Sequence, residues 1–126
     1  YLDGIVEEYG PFYGILGYSQ GCPMATVYIA NSNASFEKAF LFNGYLPTTH
    51  SGLNDTINEV APLDVDALIF GGANDVFMFG VQELAGVYHE PTIVISSTAD
   101  HYLPFSDDEA YGDVLAFFRE GTNGNL

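Results

Sequence analysis

Positive charge is nearly missing from this chain. Lys38 and Arg119 stand alone against 17 acidic residues, which leaves a net charge of −15. A surface of that kind cannot neutralise phosphates, so nucleic acid is excluded as a partner and anionic membranes are repelled. Cysteine is scarce too. Cys22 is the only one, so no intrachain disulfide can form, and its place just after a tight turn suits packing in a helix rather than redox work. No Cys cluster and no histidine pair at ligand spacing is present, so neither a metal nor a cofactor is expected. Gly71-Gly72 lacks the third glycine and the helix spacing of a dinucleotide fingerprint. No apolar run approaches the roughly 20 residues of a membrane span, no signal-peptide pattern opens the chain, and no internal repeat is visible. Methionine is absent from the first position, where Tyr1 stands; a processed or incomplete piece is expected.

What is there supports a real core. The 126 residues are 48% hydrophobic and 15% aromatic, enough for one domain, or part of one, over 1–126. Leu2, Ile5, Val6 and Tyr9 form an apolar helical stripe that Gly10-Pro11 ends. Residues 12–17 read as a strand buried on both faces. A helix is expected over about 20–31, with Pro23 harmless in its first turn. Strands follow at 39–42, at 66–70 (stopped by Gly71-Gly72) and at 92–95. A short helix is expected near 53–60, and a longer one at 79–89 on Val81, Leu84, Ala85 and Tyr88. Ser106-Asp-Asp-Glu109 reads as a capping box opening a last helix with Tyr111, Val114, Leu115 and Phe118 on one face. Strand and helix alternate, which implies an α/β fold: about four parallel strands in a three-layer sandwich with helices on both faces. Sequons at Asn33-Ala-Ser35 and Asn54-Asp-Thr56 matter only in a secreted protein.

The chemistry gathers at the carboxyl ends of those strands. Gly17-Tyr18-Ser19-Gln20-Gly21 has the form Gly-x-Ser-x-Gly between a strand and a helix. That is a nucleophile elbow, and Gly17 and Gly21 are expected to let strand and helix pass closely. A serine hydroxyl needs a base, and the base needs a carboxylate to fix its tautomer. Asp75 follows the third strand and His101 the fourth, giving the order serine, acid, histidine. Asp100 competes as the acid, but no histidine follows it to serve as base except its neighbour His101. His50 and His89 read as solvated or capping residues. The Gln20 N–H is the nameable oxyanion donor. Tyr18, Phe77 and Tyr102 are candidate pocket residues, with core packing the ordinary alternative for any one of them.

At these residues the chain resembles the FSH serine hydrolases of the α/β-hydrolase superfamily. Glu8-Tyr9-Gly10-Pro11-Phe12-Tyr13-Gly14-Ile15-Leu16-Gly17-Tyr18-Ser19-Gln20-Gly21 is similar to that family's pattern around its nucleophile. Phe40 to Pro47 is similar to its next strand and loop, and Asp100-His101-Tyr102-Leu103-Pro104 to the stretch around its histidine. The resemblance covers nearly the whole chain, but only the C-terminal half of such a hydrolase. It implies hydrolysis of a carboxylic ester or thioester and, with no disulfide possible, favours a cytoplasmic setting. The family usually has glycine before its histidine, where this chain has Ala99-Asp100, and small residues where it has Cys22-Pro23. The family's first strands, which carry a second oxyanion donor, have no counterpart; losing one donor costs about 10²–10³ in rate. Without them the strand at 12–17 is an exposed apolar edge. A preceding N-terminal segment or a partner chain is therefore expected to pair with it. A second reading stays open: a non-catalytic hydrolase-fold subunit or interaction module whose acidic surface serves assembly.

Overall fold

A computed structural model describes residues 2–31 and 36–119. The sequon at Asn33 lies outside them. The elements run α1 (Leu2–Tyr9), β1 (Gly14–Tyr18), α2 (Gly21–Asn31), β2 (Lys38–Phe42), α3 (Ser51–Val60), β3 (Asp66–Gly72), α4 (Phe79–Ala85), β4 (Thr92–Ser96) and α5 (Tyr111–Arg119). The four strands form one parallel sheet in the order β1-β2-β3-β4. All three pairings are parallel, so every loop at the strands' carboxyl ends opens on the same side.

Side chains alternate across a strand, and the two faces of the sheet are covered differently. Ala39, Leu41, Ala67 and Ile69 pack with Cys22, Ala25, Ile57, Val81 and Leu84, under α2, α3 and α4. Phe40, Phe42, Leu68, Phe70 and Val94 pack with Ala110 and Phe117, under α5. β2 is buried at all five positions, as befits a central strand with a helix layer on either side. Burying each Leu or Phe there contributes about 1.5–3 kcal/mol.

Four local expectations need correction. β1 is not buried on both faces: it pairs only with β2 among the described residues, and Leu16 is 60% exposed. Gly71 and Gly72 do not stop β3, which runs through them. Their missing side chains instead admit neighbours, since a methyl on Gly71 would lie 2.5 Å from Val81 Cγ2 and one on Gly72 2.5 Å from the Ala99 carbonyl oxygen. The helix expected at 79–89 ends at Ala85, capped by Gly86; Tyr88 is buried beyond it, its hydroxyl 2.8 Å from Thr26 Oγ1. The Ser106–Glu109 capping box does not form, and α5 starts at Tyr111. The Ser96 hydroxyl donates to Asp108 Oδ2 at 2.6 Å and the Ser97 hydroxyl to Glu109 Oε1 at 2.7 Å. Both carboxylates are thus engaged by the end of β4. Val114 and Phe118 of the expected α5 face do meet the core side, Phe118 with its ring centroid 5.6 Å from that of Phe40, and Phe117 joins them as the buried residue of the helix.

Lys38, one of the two basic residues, is 3% exposed. Its Nζ donates to the Phe117 carbonyl in the last turn of α5, lies 4.2 Å from the Phe117 ring centroid and 3.9 Å from Asp66 Oδ2. A cation at a helix C-terminus answers the carbonyls that lack helical partners, so Lys38 clamps α5 to the sheet. Lys38→Met keeps the aliphatic stem and removes the donor. It is expected to lower stability by about 1–3 kcal/mol, read as a drop in the urea midpoint at constant slope.

Candidate active site

The chain leaves β1 and enters α2 through Ser19 and Gln20 alone. Ser19 sits at φ 54°, a left-handed conformation that non-glycine residues rarely hold. Two backbone hydrogen bonds fix it there: Ser19 N–H donates to the Phe42 carbonyl (2.9 Å), and the Ser19 carbonyl accepts from Cys22 N–H (3.1 Å). Gly17 has no room for a side chain, whereas Gly21 has nothing within 4 Å of a Cβ position. The steric need expected at both glycines therefore rests on Gly17. The Cys22 thiol donates to the Gly17 and Phe42 carbonyls at 3.3 and 3.4 Å. Burial pushes that thiol up to about 12, so it is no thiolate nucleophile at neutral pH.

Asp75 follows β3 and its side chain is 1% exposed. Its Oδ1 accepts from Phe77 N–H (2.9 Å). Its Oδ2 accepts from Asn43 Nδ2 (3.2 Å) and lies 2.8 Å from His101 Nδ1. Burial alone would raise the carboxyl's pKa. The hydrogen bonds from Phe77, His101 and Asn43 outweigh it and hold Asp75 below the usual aspartate value. The ionised carboxylate can only accept, so the proton sits on Nδ1 of His101. That frees Nε2, which lies 2.9 Å from Ser19 Oγ. Ser19, His101 and Asp75 are thus joined in one hydrogen-bonded chain. Asp100 stands outside it: its side chain accepts from the His101 backbone N–H at 2.8 Å.

The other candidates separate. The rings of Tyr18 and Phe77 flank His101, with centroids 5.3 and 5.2 Å from the imidazole. Tyr18 also has a role the sequence reading lacked: its hydroxyl donates to the His101 carbonyl at 2.6 Å and so ties the histidine loop to β1. Tyr102 turns away, stacking on Phe105 at 5.1 Å and packing against the core under α5. Gln20 is exposed beside Ser19. His50 is the N-cap of α3, its Nδ1 accepting from Leu53 N–H at 3.2 Å, and His89 is exposed beside Glu90. Among the described residues no three His, Cys, Asp or Glu side chains gather as a metal site, and no helix is long and apolar enough to cross a membrane.

Asn43 was missed as a site residue. It lies at the carboxyl end of β2 with φ 57°, is 1% exposed, and donates through Nδ2 to both Asp75 Oδ2 and the Asp100 carbonyl, each at 3.2 Å. It therefore links the acid to the histidine loop. The available signal was an asparagine, which tolerates a left-handed backbone, at a strand end facing the same side as Ser19.

This arrangement, at the carboxyl edge of a parallel sheet between helix layers, is that of an α/β-hydrolase fold. Solved structures agree. The esterase domain of a Rhodothermus marinus protein matches with a TM-score of 0.67 at 17% identity, over 93% of this chain and 63% of that one. The Bacillus cereus carboxylesterase matches with a TM-score of 0.64 at 19% identity, over 94% of this chain and 56% of that one. The chain thus spans about three fifths of the length of these structures. No curated protein matches it. The family model described as Serine hydrolase (FSH1) matches residues 1–111, and the chain belongs to that family.

Proposed function

We propose that the protein is a serine hydrolase that cleaves a carboxylic ester or thioester through an acyl-enzyme. The observation that carries this reading is the unbroken chain from Ser19 Oγ to His101 Nε2 and from His101 Nδ1 to Asp75 Oδ2, at 2.9 and 2.8 Å. Ser19 Oγ attacks the acyl carbon while His101 Nε2 takes its proton. Asp75 stabilises the imidazolium that forms. The Gln20 N–H donates to the oxyanion of the tetrahedral intermediate. The intermediate collapses, the bond to the leaving group breaks, and His101 delivers the proton to the departing oxygen or sulfur. Water, deprotonated by His101, then attacks the acyl carbon; the bond from that carbon to Ser19 Oγ breaks, His101 returns the proton to Oγ, and the carboxylic acid leaves.

The same reading has the free side of β1 paired with a strand from outside this chain, supplied by a preceding segment or a partner chain. The exposure of Leu16 supports it, because a bare apolar edge invites association. A fluorophosphonate probe provides the test. The full-length protein is expected to label at Ser19, and Ser19→Ala to abolish both labelling and ester turnover. An intact protein that does not label is instead a hydrolase-fold subunit without catalysis.

A further inference from the structure

The segment that carries His101 leaves β4 and turns back across the carboxyl edge of the sheet. Four successive carbonyls along it accept hydrogen bonds from the ends of the other three strands. The Thr98 carbonyl accepts from Asn74 Nδ2 (3.1 Å) and the Ala99 carbonyl from the Asn74 N–H (3.0 Å), just past β3. The Asp100 carbonyl accepts from Asn43 Nδ2 (3.2 Å), just past β2, and the His101 carbonyl from the Tyr18 hydroxyl (2.6 Å), at the end of β1. Residues 98–101 therefore strap over β3, β2 and β1 in spatial order. We propose that Asn43 and Tyr18 are positioning residues for the base, which fix where the His101 imidazole stands by holding the main chain at Asp100 and His101; the proposal rests on the hydrolase reading above.

Three observations select these two residues. The first is how the strap is supported. Its near end is held without them: the buried Ser96 hydroxyl accepts from the Ala99 N–H at 3.0 Å. A methyl on Gly72 would lie 2.5 Å from both the Ala99 and the Asp100 carbonyl oxygens, so the main chain rests directly on β3. At the far end, the His101 N–H donates to Asp100 Oδ1 (2.8 Å) and the Tyr102 N–H to the Asp100 carbonyl (2.9 Å). Those two bonds tie the loop only to itself. The second is convergence. Asn43 Nδ2 also donates to Asp75 Oδ2, the oxygen that faces His101 Nδ1, so one amide sets acid and base against each other. Tyr18 immediately precedes Ser19, so its hydroxyl ties the base to the nucleophile's own turn. The third is cost. Asn43 is 1% exposed, yet its Oδ1 has no hydrogen-bond partner among the described residues. A buried acceptor left unpaired is destabilising, so stability does not account for an amide at this place.

Tyr18→Phe keeps the ring that packs on the imidazole and removes only the hydroxyl. Asn43→Gly removes the amide at a φ of 57°, which glycine adopts freely. A base displaced by a fraction of an ångström slows the chemical step and leaves ground-state binding alone. In the full-length protein each variant is therefore expected to lower kcat on p-nitrophenyl acetate about ten-fold or more, with KM held within about two-fold. The double variant should lose less than the product of the two, because both residues hold the same stretch of main chain. Asn74→Ala gives up the Thr98 bond but keeps its backbone N–H on Ala99, and its loss should be smaller, about three-fold. NMR of the imidazole in a Ser19→Ala background separates the strap from the chemistry. The Nδ1 proton shared with Asp75 is expected downfield, and Tyr18→Phe and Asn43→Gly should each shift or broaden it. The proposal stands for a residue whose variant moves that resonance and, in a protein that labels at Ser19, lowers kcat with KM held. Any other result, a loss confined to Tm included, overturns it for that residue. A wild type that fails to label removes the hydrolase reading and leaves the resonance to decide.

Discussion

Asp75→Asn is expected to lower kcat about 10⁴-fold while leaving the protein folded. Three donors converge on this carboxylate: the Phe77 N–H, the Asn43 amide and the His101 ring. An asparagine offers one acceptor oxygen instead of two, so its NH₂ must face at least one of those donors. If the NH₂ faces His101, the imidazole takes the other tautomer and Nε2 carries a hydrogen where it should accept one from Ser19. The unsatisfied donors cost about 1–3 kcal/mol, a thermal shift of several degrees rather than loss of the fold. The pH dependence has a definite sign. Asp75 is held below its ordinary value, so its contribution to stability is complete above the unfolded aspartate pKa and disappears as pH falls through the lowered folded one. The stability gap between wild type and Asp75→Asn should therefore narrow as the solution is acidified through that range. Steady-state kinetics with p-nitrophenyl acetate and thermal melts at several pH values measure both. A variant within ten-fold of wild-type kcat would remove Asp75 from the mechanism.

Gly17→Ala and Gly21→Ala should behave oppositely, although both belong to one Gly-x-Ser-x-Gly motif. A methyl on Gly17 would lie 2.7 Å from the Gly21 carbonyl oxygen, 2.8 Å from its carbon and 2.9 Å from Cys22 Cα. All three are backbone atoms of the first turn of α2, with no rotamer to yield. The helix must shift from β1, and Ser19 with it. Overpacking of this kind costs about 3 kcal/mol, on the order of 10 °C in Tm for a chain of this size. The distance from Ser19 Oγ to His101 is set by the same turn, so turnover should fall further than stability alone explains. At Gly21 a methyl meets open space, and alanine is the better helix former by about 1 kcal/mol. Gly21→Ala is expected to melt at or slightly above wild type. Equal losses in the two variants would contradict the close approach at Gly17.

Much of the architecture was legible because it rests on local patterns. Apolar runs bounded by glycine and proline marked the four strands, and strict alternation with helices implied a parallel sheet. The order Ser19, Asp75, His101 could be read because each follows its own strand. Misreadings fell where one local signal was answered by a distant group. Gly71 and Gly72 looked like stops, but they are strand residues that admit Val81 and the Ala99–Asp100 backbone. Ser106 and Glu109 have capping-box spacing, yet hydroxyls from the end of β4 hold Asp108 and Glu109. Asn43 gave no sign of its partners because Asp75 and Asp100 lie 32 and 57 residues away.

The sequence by itself determined the order of elements, the tight turn at Ser19 and the strand ends on which the polar groups sit. Short-range sterics and hydrophobic period are enough for that. Which carboxylate meets the imidazole was decided in three dimensions. Asp75 and Asp100 both follow strands, but parallel pairing brings the end of β3 beside the end of β4 and turns the Asp100 side chain onto its neighbour's backbone. The lean of Tyr18 and Asn43 on the histidine loop and the packing of Phe77 on His101 are also tertiary facts. They depend on the distances at which helices and strands pack, and no local pattern encodes those.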